Sequence, residues 1–420
     1  MSDVAHGSIA LLRRAPDFRR LFLATLGSGV GTYLAAVALT VDVFDRTGSN
    51  TWVSALLIAE FLPIVVLGIA LGPLIDRFSR RRLMIGSDLV RFGVFCALPF
   101  AEEPAVIVAL AGVAGIATGF FRPAVYAGLP NLVSDEDLPR ANSVLQSVEN
   151  LAWMIGPLTA GILLTVSGPD LPYSINAVTF LVSAALVFRI PSGKLQTVVS
   201  LTRGHWADVR EGLSVVRRSR ALLTVLLVWN VVLLGNAAVN VAEVTFAKVS
   251  LDGGDFGFGL LVGATGLGLT VGSLGAAAAV ERWGVRLTYS AAIGLMAVGF
   301  GAAAVAPTVW VAAVCAAAGA AGNGAALVCN ALLVQRGAPD ELRGRAFTVI
   351  MSSNYVLLGL GMVAAGPLTD IIGGRWMWGG AAAFYVAAAL GAAILARGLT
   401  VATPSHQVAH ETSEATAASN

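Results

Sequence analysis

The chain is 420 residues long, 56% hydrophobic and 12% charged, with a mean hydropathy of +0.79 and a formal net charge of +2. Soluble globular domains carry roughly 25% charged residues. The composition therefore excludes an ordinary soluble protein and predicts an all-α membrane protein. All three cysteines fall inside apolar stretches, where a thiol behaves as a small hydrophobic group, and the sequence has no disulfide or metal-ligand spacing.

Twelve apolar stretches are long enough to cross a bilayer, since a helix rising ~1.5 Å per residue needs about 20 residues to span roughly 30 Å of hydrocarbon. They lie near 21–43, 51–75, 83–101, 105–130, 141–167, 173–190, 221–247, 257–280, 286–306, 308–333, 345–372 and 375–397. The first stretch is too long for a secretory signal and no small-residue cleavage site follows it. We therefore expect it to be retained as a transmembrane helix.

The loops between successive spans would lie alternately on the two sides of the membrane, and basic residues are distributed unevenly between those sides. One side receives only Arg46, Lys248 and Arg375, while Arg91 lies within a span. The remaining 23 of the 27 lysines and arginines fall on the other side. Because cytoplasmic loops retain Lys and Arg, we expect a multi-pass protein of the cell (plasma) membrane with both termini in the cytoplasm.

Charged residues are rare inside the predicted spans, where a charge costs at least ~2.5–3.5 kcal/mol on insertion scales. In the second span Glu60 precedes Pro63, which frees backbone groups and can bend the helix, and we assign Glu60 to a cavity inside the helix bundle. In the third span Asp88 and Arg91 stand three residues apart and can pair directly. We favour a structural salt bridge with the adjacent loop over a role in substrate binding.

Glu149 lies near the middle of the fifth span, beside Gln146 and Asn150 and with no basic residue within helical reach. We interpret Glu149 as a lone buried acid, which can exchange a proton at physiological pH. A protonated Glu149 held structurally by neighbouring amides is the alternative. Gly156 and Pro157 follow in the same span and predict a bend, which is either a closing hinge or a static kink.

The seventh span combines asparagines with one acid. Asn236, Asn240 and Glu243 share one helical face, because residues three or four apart lie on the same side of a helix. We expect this face to line the central cavity together with Glu149 and Glu60, where these groups can exchange protons and bind a polar ligand. Interhelical hydrogen bonding is the alternative explanation.

An internal repeat emerges when the sequence is aligned with itself at an offset of 205 in residue number. The matches are Asp76-Arg77 with Glu281-Arg282, Arg81 with Arg286, Asp135-Glu136 with Asp340-Glu341, Arg140-Ala141 with Arg345-Ala346, Gly156 with Gly361 and Gly161 with Gly366. Glu149 corresponds to Asn354, which is polar but uncharged. One constant offset over several spans predicts two six-helix halves that are pseudo-symmetric and share one orientation.

The repeat also suggests the domain organisation. We expect an N-terminal half at 1–190, a cytoplasmic connection at 191–220, a C-terminal half at 221–397 and a disordered tail at 398–420. Apolar residues recur at helical spacing in the connection, namely Trp206, Val209, Leu213 and Val216. They predict an amphipathic helix on the cytoplasmic membrane surface, with a flexible basic linker as the alternative.

The stretch GPLIDRFSRRR at 72–82 resembles the signature between the second and third helices of the major facilitator superfamily, although Ser79 stands where Gly is usual. IGPLTAG at 155–161 is similar to the antiporters' fifth-helix signature. PDELRGRAF at 339–347 resembles a stretch that recurs in the branch of drug, macrolide and siderophore exporters. The resemblance implies the twelve-helix major facilitator fold. In one departure, the fourth helix offers Arg122 without the Gln that drug–proton antiporters often place after such an arginine.

In that family the loop after the second helix latches the two halves while the cavity faces outward. The resemblance therefore implies a gating loop made of Gly72, Asp76, Arg77, Arg80 and Arg81. A simple topology anchor would explain the arginines, but it would leave the acid unexplained because a negative charge weakens such an anchor.

The sequence contains no phosphate-binding loop, HExxH motif or cysteine–histidine constellation, so we expect neither an enzyme, a cofactor nor a metal site. We expect a secondary transporter that exports a small amphipathic or hydrophobic, drug-like molecule by alternating access in antiport with protons. Its expected partners are the small-molecule substrate, protons and membrane lipids, with no nucleic acid, and the chain is expected to be a monomer. The alternatives are a siderophore or other metabolite exporter, and a non-transporting receptor or lipid-flipping protein on the same scaffold.

Overall fold

The computed structural model describes residues 10–70, 78–195, 205–338 and 342–395. Within them we number the long α-helices in chain order. These are α1 Pro16–Thr47, α2 Asn50–Ala70, α3 Arg80–Ala97, α4 Pro104–Gly128, α5 Leu138–Ser167, α6 Asp170–Phe188, α7 His205–Arg218, α8 Arg220–Thr245, α9 Gly254–Ala304, α10 Val309–Gly337, α11 Arg343–Ile372 and α12 Gly374–Leu395. Short 3₁₀ turns lie at Leu98–Phe100, Leu129–Asn131 and Ser192–Leu195, and a π turn at Phe246–Ser250 extends α8.

Helix α9 contains two membrane crossings. Its 51 residues would measure about 77 Å as one straight helix, more than twice the hydrocarbon thickness. Gly284 interrupts it with φ of 75° and ψ of 159°, a conformation that glycine adopts without a Cβ clash. The arms 254–283 and 285–304 are therefore separate spans. Eleven described helices are long and apolar enough to cross a membrane, and the break in α9 brings the crossings to twelve, as predicted.

The outer surface of the bundle is apolar. Large hydrophobic side chains such as Phe100, Leu274 and Ile371 are at least three-quarters exposed. Contiguous exposed apolar surface on this scale is typical of a lipid-facing protein. The largest fully buried side chains are instead aromatic rings inside each group of helices, among them Trp378, Tyr385 and Tyr173.

Helices α1–α6 pack together, and α8–α12 pack together in the same pattern. In the first group α1 contacts α5 and α6, α2 contacts α4, and α3 contacts α4 and α6. In the second group α8 contacts α11 and α12, and the two arms of α9 contact α10 and α12. When each arm of α9 is counted as one span, the contacts between spans of the first half recur in the second half between the spans six positions later. The predicted fold of two pseudo-symmetric six-helix halves is confirmed.

Individual contacts repeat with the same offset as the sequence. Gly119 lies against Ile64, and Gly324 lies against Leu269, which is the equivalent pair in the second half. In both pairs a glycine lets α4 or α10 approach the backbone of its neighbour closely. The repeat is therefore a property of the packing as well as of the sequence.

Two seams join the halves. Along the first, between α5 and α9, Gly161 lies against Asp255, Phe256 and Gly259. Along the second, between α2 and α11, Gly366 lies against Asn50, Thr51 and Ser54. The offset of 205 pairs each residue named at the second seam with one named at the first: Gly366 with Gly161, Asn50 with Asp255, Thr51 with Phe256 and Ser54 with Gly259. The two seams are thus structural counterparts.

Helix α7 connects the two halves. It packs against α11 and α8, with Val216 fully buried and Glu211 paired with Arg345. The domain boundaries given above remain proposals, as does the membrane-surface position of this helix. Residues 1–9, 196–204 and the proposed tail at 398–420 lie outside the described residues.

Candidate functional site

Two adjacent cavities lie within the first half. Cavity 1 measures about 110 Å³ and is bounded by α1, α3, α4 and α5. Cavity 2 measures about 250 Å³ and is bounded by α1, α2, α3, α4, α6 and α11. Four residues line both cavities: Thr32, Tyr33, Arg91 and Thr118. Each cavity is smaller than the roughly 300–1,000 Å³ of drug-sized ligand pockets, so a larger ligand requires the helices to separate further.

Glu149 on α5 belongs to a polar cluster that lines cavity 1. Its Oε2 pairs with the Arg122 guanidinium of α4 at 2.5 Å, and its Oε1 accepts a hydrogen bond from the Tyr126 hydroxyl at 2.9 Å. Arg122 and Tyr126 are four residues apart, so α4 presents both on one face. Glu149 is mostly buried, whereas more than half of the Arg122 side chain is exposed.

The interpretation of Glu149 as a lone acid is wrong. Its partner is 27 residues away on another helix, so spacing along a single helix could not reveal it. Protonation of this carboxylate would remove the ion pair and free the Arg122 guanidinium, since the pair depends on the ionised form. The cluster can therefore couple a proton to the position of α4 relative to α5.

Arg91 on α3 lines both cavities and has only 3% of its surface exposed. Its guanidinium pairs with Asp88 at 2.6 Å and lies 4.5 Å from the centre of the Phe121 ring and 4.2 Å from that of Phe180. The second Asp88 oxygen accepts a hydrogen bond of 2.7 Å from Ser183. A buried cation needs such partners because desolvation of an unpaired charge is costly.

The pair of Asp88 and Arg91 forms as expected. Asp88 makes a further contact with α6, through Ser183, while the expected contact with the adjacent loop stays a prediction. Residues 71–77 of that loop lie outside the described residues. Because Arg91 lines both cavities, the pair stands at the site itself.

Glu60 on α2 lines cavity 2. The ring of the next residue, Phe61, packs edge-on against that of Tyr355 of α11, with 5.4 Å between the ring centres, so this part of α2 touches the second half. Pro63 lies within α2, as the sequence indicates. The structure thus places Glu60 and Glu149 in neighbouring cavities that share Arg91 as a lining residue.

The residues of the predicted polar face on α8 do not line either cavity. Asn236 accepts a hydrogen bond of 2.8 Å from Tyr385 of α12. Glu243 is 6% exposed and its Oε1 has no hydrogen-bond partner among the described residues, whereas Asn240 is exposed. The interpretation of these three as one wall of the central cavity stays a prediction. For Asn236, the alternative of an interhelical hydrogen bond describes the contact.

Gly156 and Pro157 lie within the continuous helix α5. A side chain at Gly156 would collide with Val30, Tyr33 and Leu34 of α1, so the glycine permits close packing of the two helices. The Pro157 carbonyl lies against Gly259 at the first seam. Both residues thus occupy helix contacts, and a hinge at this position stays a prediction.

The predicted gating loop is described only in part, because Gly72, Asp76 and Arg77 fall outside the described residues. Arg80 is the first residue of α3. Arg81 donates a hydrogen bond to the Phe188 carbonyl and lies 4.7 Å from the centre of that ring, which ties α3 to the end of α6.

A polar lock joins the two halves at the end of the bundle where residues 48–49 connect α1 to α2. We call this end the opposite side, and the end where α1 begins the N-terminal side. Asp370 at the end of α11 accepts hydrogen bonds from the Asn50 and Thr51 backbone amides at 2.6 and 3.1 Å and from the Ser49 hydroxyl at 2.8 Å. It therefore caps the first turn of α2.

A lysine reinforces the polar lock. The Lys248 ammonium donates to Asp45 of the first half at 2.5 Å and to Asp255 of the second half at 2.6 Å. The Thr245 hydroxyl donates to the Asn50 side chain at 2.7 Å. In the sequence Lys248 stands out only as a loop charge and Asp370 does not stand out at all, because contacts between residues distant in the chain give no local signal.

Arg122, Tyr126, Tyr33 and Thr118 are among the cavity residues that the sequence-based site omitted. Arg122 had a visible signal as the one charged residue of the fourth span, but its partner could not be identified. Among the described residues, no group of three His, Cys, Asp or Glu side chains could hold a metal ion.

Comparison with known proteins gives consistent matches. The model of the family of transmembrane secretion effectors, MFS_3, matches residues 7–419. Macrolide efflux protein A of Streptococcus pyogenes is 27% identical over 235 residues, which cover 54% of this chain and 57% of that protein. The multidrug efflux pump Tap of Mycolicibacterium fortuitum is 28% identical over 376 residues, which cover 86% of this chain and 91% of the pump.

The chain thus spans a little over half the length of the macrolide efflux protein that it matches and most of the length of the Tap pump. A crystal structure of the nucleoside transporter NupG has a TM-score of 0.76 and 11% identity, and it covers 90% of this chain and 99% of its own. At that identity the likeness concerns the fold alone.

Proposed function

Because the chain belongs to the transmembrane secretion effector family, within the major facilitator superfamily, we propose that it exports a small amphipathic or hydrophobic molecule in antiport with protons. The relatives named as macrolide and multidrug efflux proteins support export and a drug-like substrate. We place the protein in the plasma membrane with the N-terminal side in the cytoplasm, on the distribution of Lys and Arg.

The Glu149–Arg122–Tyr126 cluster is the observation that carries the proposal. An ionisable carboxylate faces a cavity and pairs with a cation that is itself half exposed. A proton and a cationic or polar substrate group can therefore compete for the same carboxylate. Binding of one weakens binding of the other, and this reciprocity is what antiport requires.

Alternating access is supported by where the halves touch. The contacts along the two seams run from the polar lock at the opposite side to about the middle of the helices, at Trp153 with Gly266 and at Phe61 with Tyr355. Arg122 lies closer to the N-terminal side and is exposed. We therefore assign this arrangement to the inward-facing state, in which the cytoplasm reaches cavity 1.

Transport begins in this state with the substrate entering from the cytoplasm while Glu149 is ionised. For the cavity to open outward, the polar lock must separate and the opposite ends of the halves must close together. Protonation of Glu149 from the outside then releases the substrate and resets the cycle, because the protonated acid no longer attracts Arg122 or a cationic substrate group.

Reconstituted vesicles test the proposal directly. The purified chain in proteoliposomes should move ethidium, a lipophilic cation, against its gradient when a pH gradient is imposed, and a protonophore should stop this movement. Ethidium movement that ignores the pH gradient would reject proton antiport. If no member of a dye and antibiotic panel moves, drug export is rejected, and a metabolite panel and a lipid-scrambling assay then test the alternatives.

A further inference from the structure

Four asparagines in the second half carry a buried side-chain oxygen without a hydrogen-bond partner among the described residues. They are Asn230 on α8, Asn323 and Asn330 on α10, and Asn354 on α11. Asn330 and Asn354 are more than nine-tenths buried. Buried polar atoms in native proteins almost always have a partner, so a group of unpartnered amides calls for an explanation.

The sequence repeat supplies a common position for these amides. Subtracting the offset of 205 from their numbers gives Thr25, Thr118, Val125 and Glu149, and all four of those residues line cavity 1. Because the helices of the two halves pack in the same pattern, we expect positions that correspond to the lining of cavity 1 to face a common space in the second half. The four asparagines are therefore the second half's counterpart of the cavity 1 wall.

One hydrogen bond links two of the helices that carry them. The Asn230 amide nitrogen donates to the Ser353 hydroxyl of α11 at 2.8 Å, next to Asn354. This contact orients the Asn230 amide and leaves its oxygen as the free acceptor. It also places two members of the group on adjoining helix faces.

The counterpart wall has lost the charges of the first half. Arg122 corresponds to Leu327, and Asp88 and Arg91 correspond to Ile293 and Met296. Only neutral amides remain in an otherwise apolar setting. Such a wall favours ligand groups that donate hydrogen bonds without requiring a counter-charge, namely hydroxyl and amide N–H groups.

We propose that Asn230, Asn323, Asn330 and Asn354 form a neutral subsite that binds the hydroxyl- or amide-bearing part of the exported molecule. The inference rests on the proposed function, and it narrows the substrate class to amphiphiles with several hydrogen-bond donors. In such a complex the donor-rich part faces the second half, and any cationic group faces Glu149. A glycosylated macrolide is a molecule of this chemistry.

Two probes with opposite chemistry test the subsite. Erythromycin carries several hydroxyl groups, whereas tetraphenylphosphonium is a lipophilic cation without N–H or O–H donors. Binding of each probe to the purified full chain is measured by isothermal titration. The variants are Asn354→Leu and Asn323→Leu, which keep the side-chain size but remove the amide. Asn142→Leu, at an exposed position on α5, is the matched control.

Asn354→Leu and Asn323→Leu should each raise the Kd for erythromycin about tenfold, because each substitution removes an amide that accepts a hydrogen bond from a hydroxyl group of this probe. The Kd for tetraphenylphosphonium should change less than about twofold, because this probe uses no donor. An unchanged Kd for erythromycin, equal changes for both probes, or no erythromycin binding to the unaltered chain would each overturn the subsite. Gel filtration verifies that the variants fold.

Failure of the subsite is distinguishable from failure of the proposed function. If the unaltered chain and Asn354→Leu both export tetraphenylphosphonium under a pH gradient while erythromycin binding ignores the substitution, the subsite fails and export stands. If the unaltered chain exports neither probe under any gradient, proton-driven drug export fails whatever the binding data show.

Discussion

At the scale of single residues, Arg91 illustrates how a buried cation depends on its partners. Asp88 neutralises it within one turn of α3, and two aromatic faces cover the guanidinium. The second half offers an internal comparison, because Ile293 and Met296 occupy the corresponding positions. The helix packing of this fold therefore tolerates an apolar pair there, which implies that the charges serve the site more than the fold.

Replacing Asp88 should separate these two roles. Asp88→Asn is expected to lower the free energy of unfolding by ~3–5 kcal/mol, because it leaves the Arg91 charge buried without its counter-ion. The double variant Asp88→Ile with Arg91→Met should recover most of this stability and still fail to transport. Thermal unfolding in detergent, followed by tryptophan fluorescence, measures both, with the exposed Asp135→Asn as control. A single variant as stable as the unaltered chain would contradict the argument.

Glu149 permits a second prediction at this scale. Glu149→Gln should reduce export driven by a pH gradient about tenfold or more while expression is unchanged, since glutamine keeps the shape but cannot cycle a proton. Glu60→Gln and Glu243→Gln should have weaker effects. Vesicle transport assays measure the rates, and Glu103→Gln, on the exposed connection before α4, is the matched control. Unchanged rates in all three variants would make these acids structural.

How much of the site could be predicted depended on the distance between partners along the chain. Asp88 and Arg91 are one helical turn apart, and helix geometry alone predicts their pairing. Glu149 and Arg122 lie on separate helices, so hydropathy located both residues in spans but could not bring them together. The direction in which each helix faces is set by tertiary packing, and a single sequence does not reveal it.

At the scale of helices, the beginning of α2 depends on a residue from the other half. The first turn of a helix exposes backbone N–H groups, and here the carboxylate of Asp370 accepts from them. Separation of the halves at this end removes the cap from α2. The polar lock thus links the stability of one helix terminus to the conformational state of the transporter.

Asp370→Asn should weaken the polar lock and shift the population toward the outward-facing state. Hydrogen bonds to a charged group contribute ~1.5–3 kcal/mol each, so a shift of roughly tenfold is expected. A single cysteine at Gln146, in a background without Cys96, Cys315 and Cys329, should then react more slowly with a thiol reagent from the N-terminal side. The exposed Asp252→Asn is a suitable control. Faster or equal labelling would contradict this role for Asp370.

A substitution in the proposed gating loop should have the opposite effect on the labelling rate. If Asp76 stabilises the outward-facing state as the resemblance implies, Asp76→Asn should slow transport and raise the labelling rate of the same cysteine at Gln146. Asp370→Asn and Asp76→Asn would therefore move one measurement in opposite directions. Unchanged transport and labelling in Asp76→Asn would reduce the loop to a topology anchor.

The number of spans followed from composition, since apolar length is a local property. The break at Gly284 shows what composition did not provide. The predicted eighth and ninth spans were separated at 281–285, yet the structure keeps helical geometry on both sides of a single non-helical glycine. Glu281 and Arg282 interrupt the apolar pattern, so hydropathy located the break, but it could not show that a single glycine forms it.

At the scale of the whole molecule, the pseudo-symmetry was the most predictable feature. The constant offset found in the sequence relates the contacts Gly119–Ile64 and Gly324–Leu269 in the structure. Duplication conserves the residues that determine helix approach, mostly glycines, so the repeat survives where side-chain chemistry has diverged. Charge has diverged most, because the first half retains the ion pairs of the site and the second half has amides in related positions.

The orientation of the whole chain is tested from outside the cell. Single cysteines at Glu103 and Asp252, both exposed on the opposite side, should react with an impermeant thiol reagent added to intact cells. A cysteine at Asp135, exposed on the N-terminal side, should react only after permeabilisation. The reverse pattern of labelling would place the termini outside and invert the direction of transport.

The glycine-lined seams have a consequence for how transport responds to temperature. Along α5 with α9 and α2 with α11, backbone lies against backbone, as at Gly161 with Gly259. Glycine has no side-chain rotamers, so separating these contacts releases little rotamer entropy. Apart from breaking the polar lock, the cost of separating them is the lost dispersion contact between backbones, which is enthalpic. Cooling should therefore slow the exchange between states by holding the seams closed, even where the bilayer remains fluid.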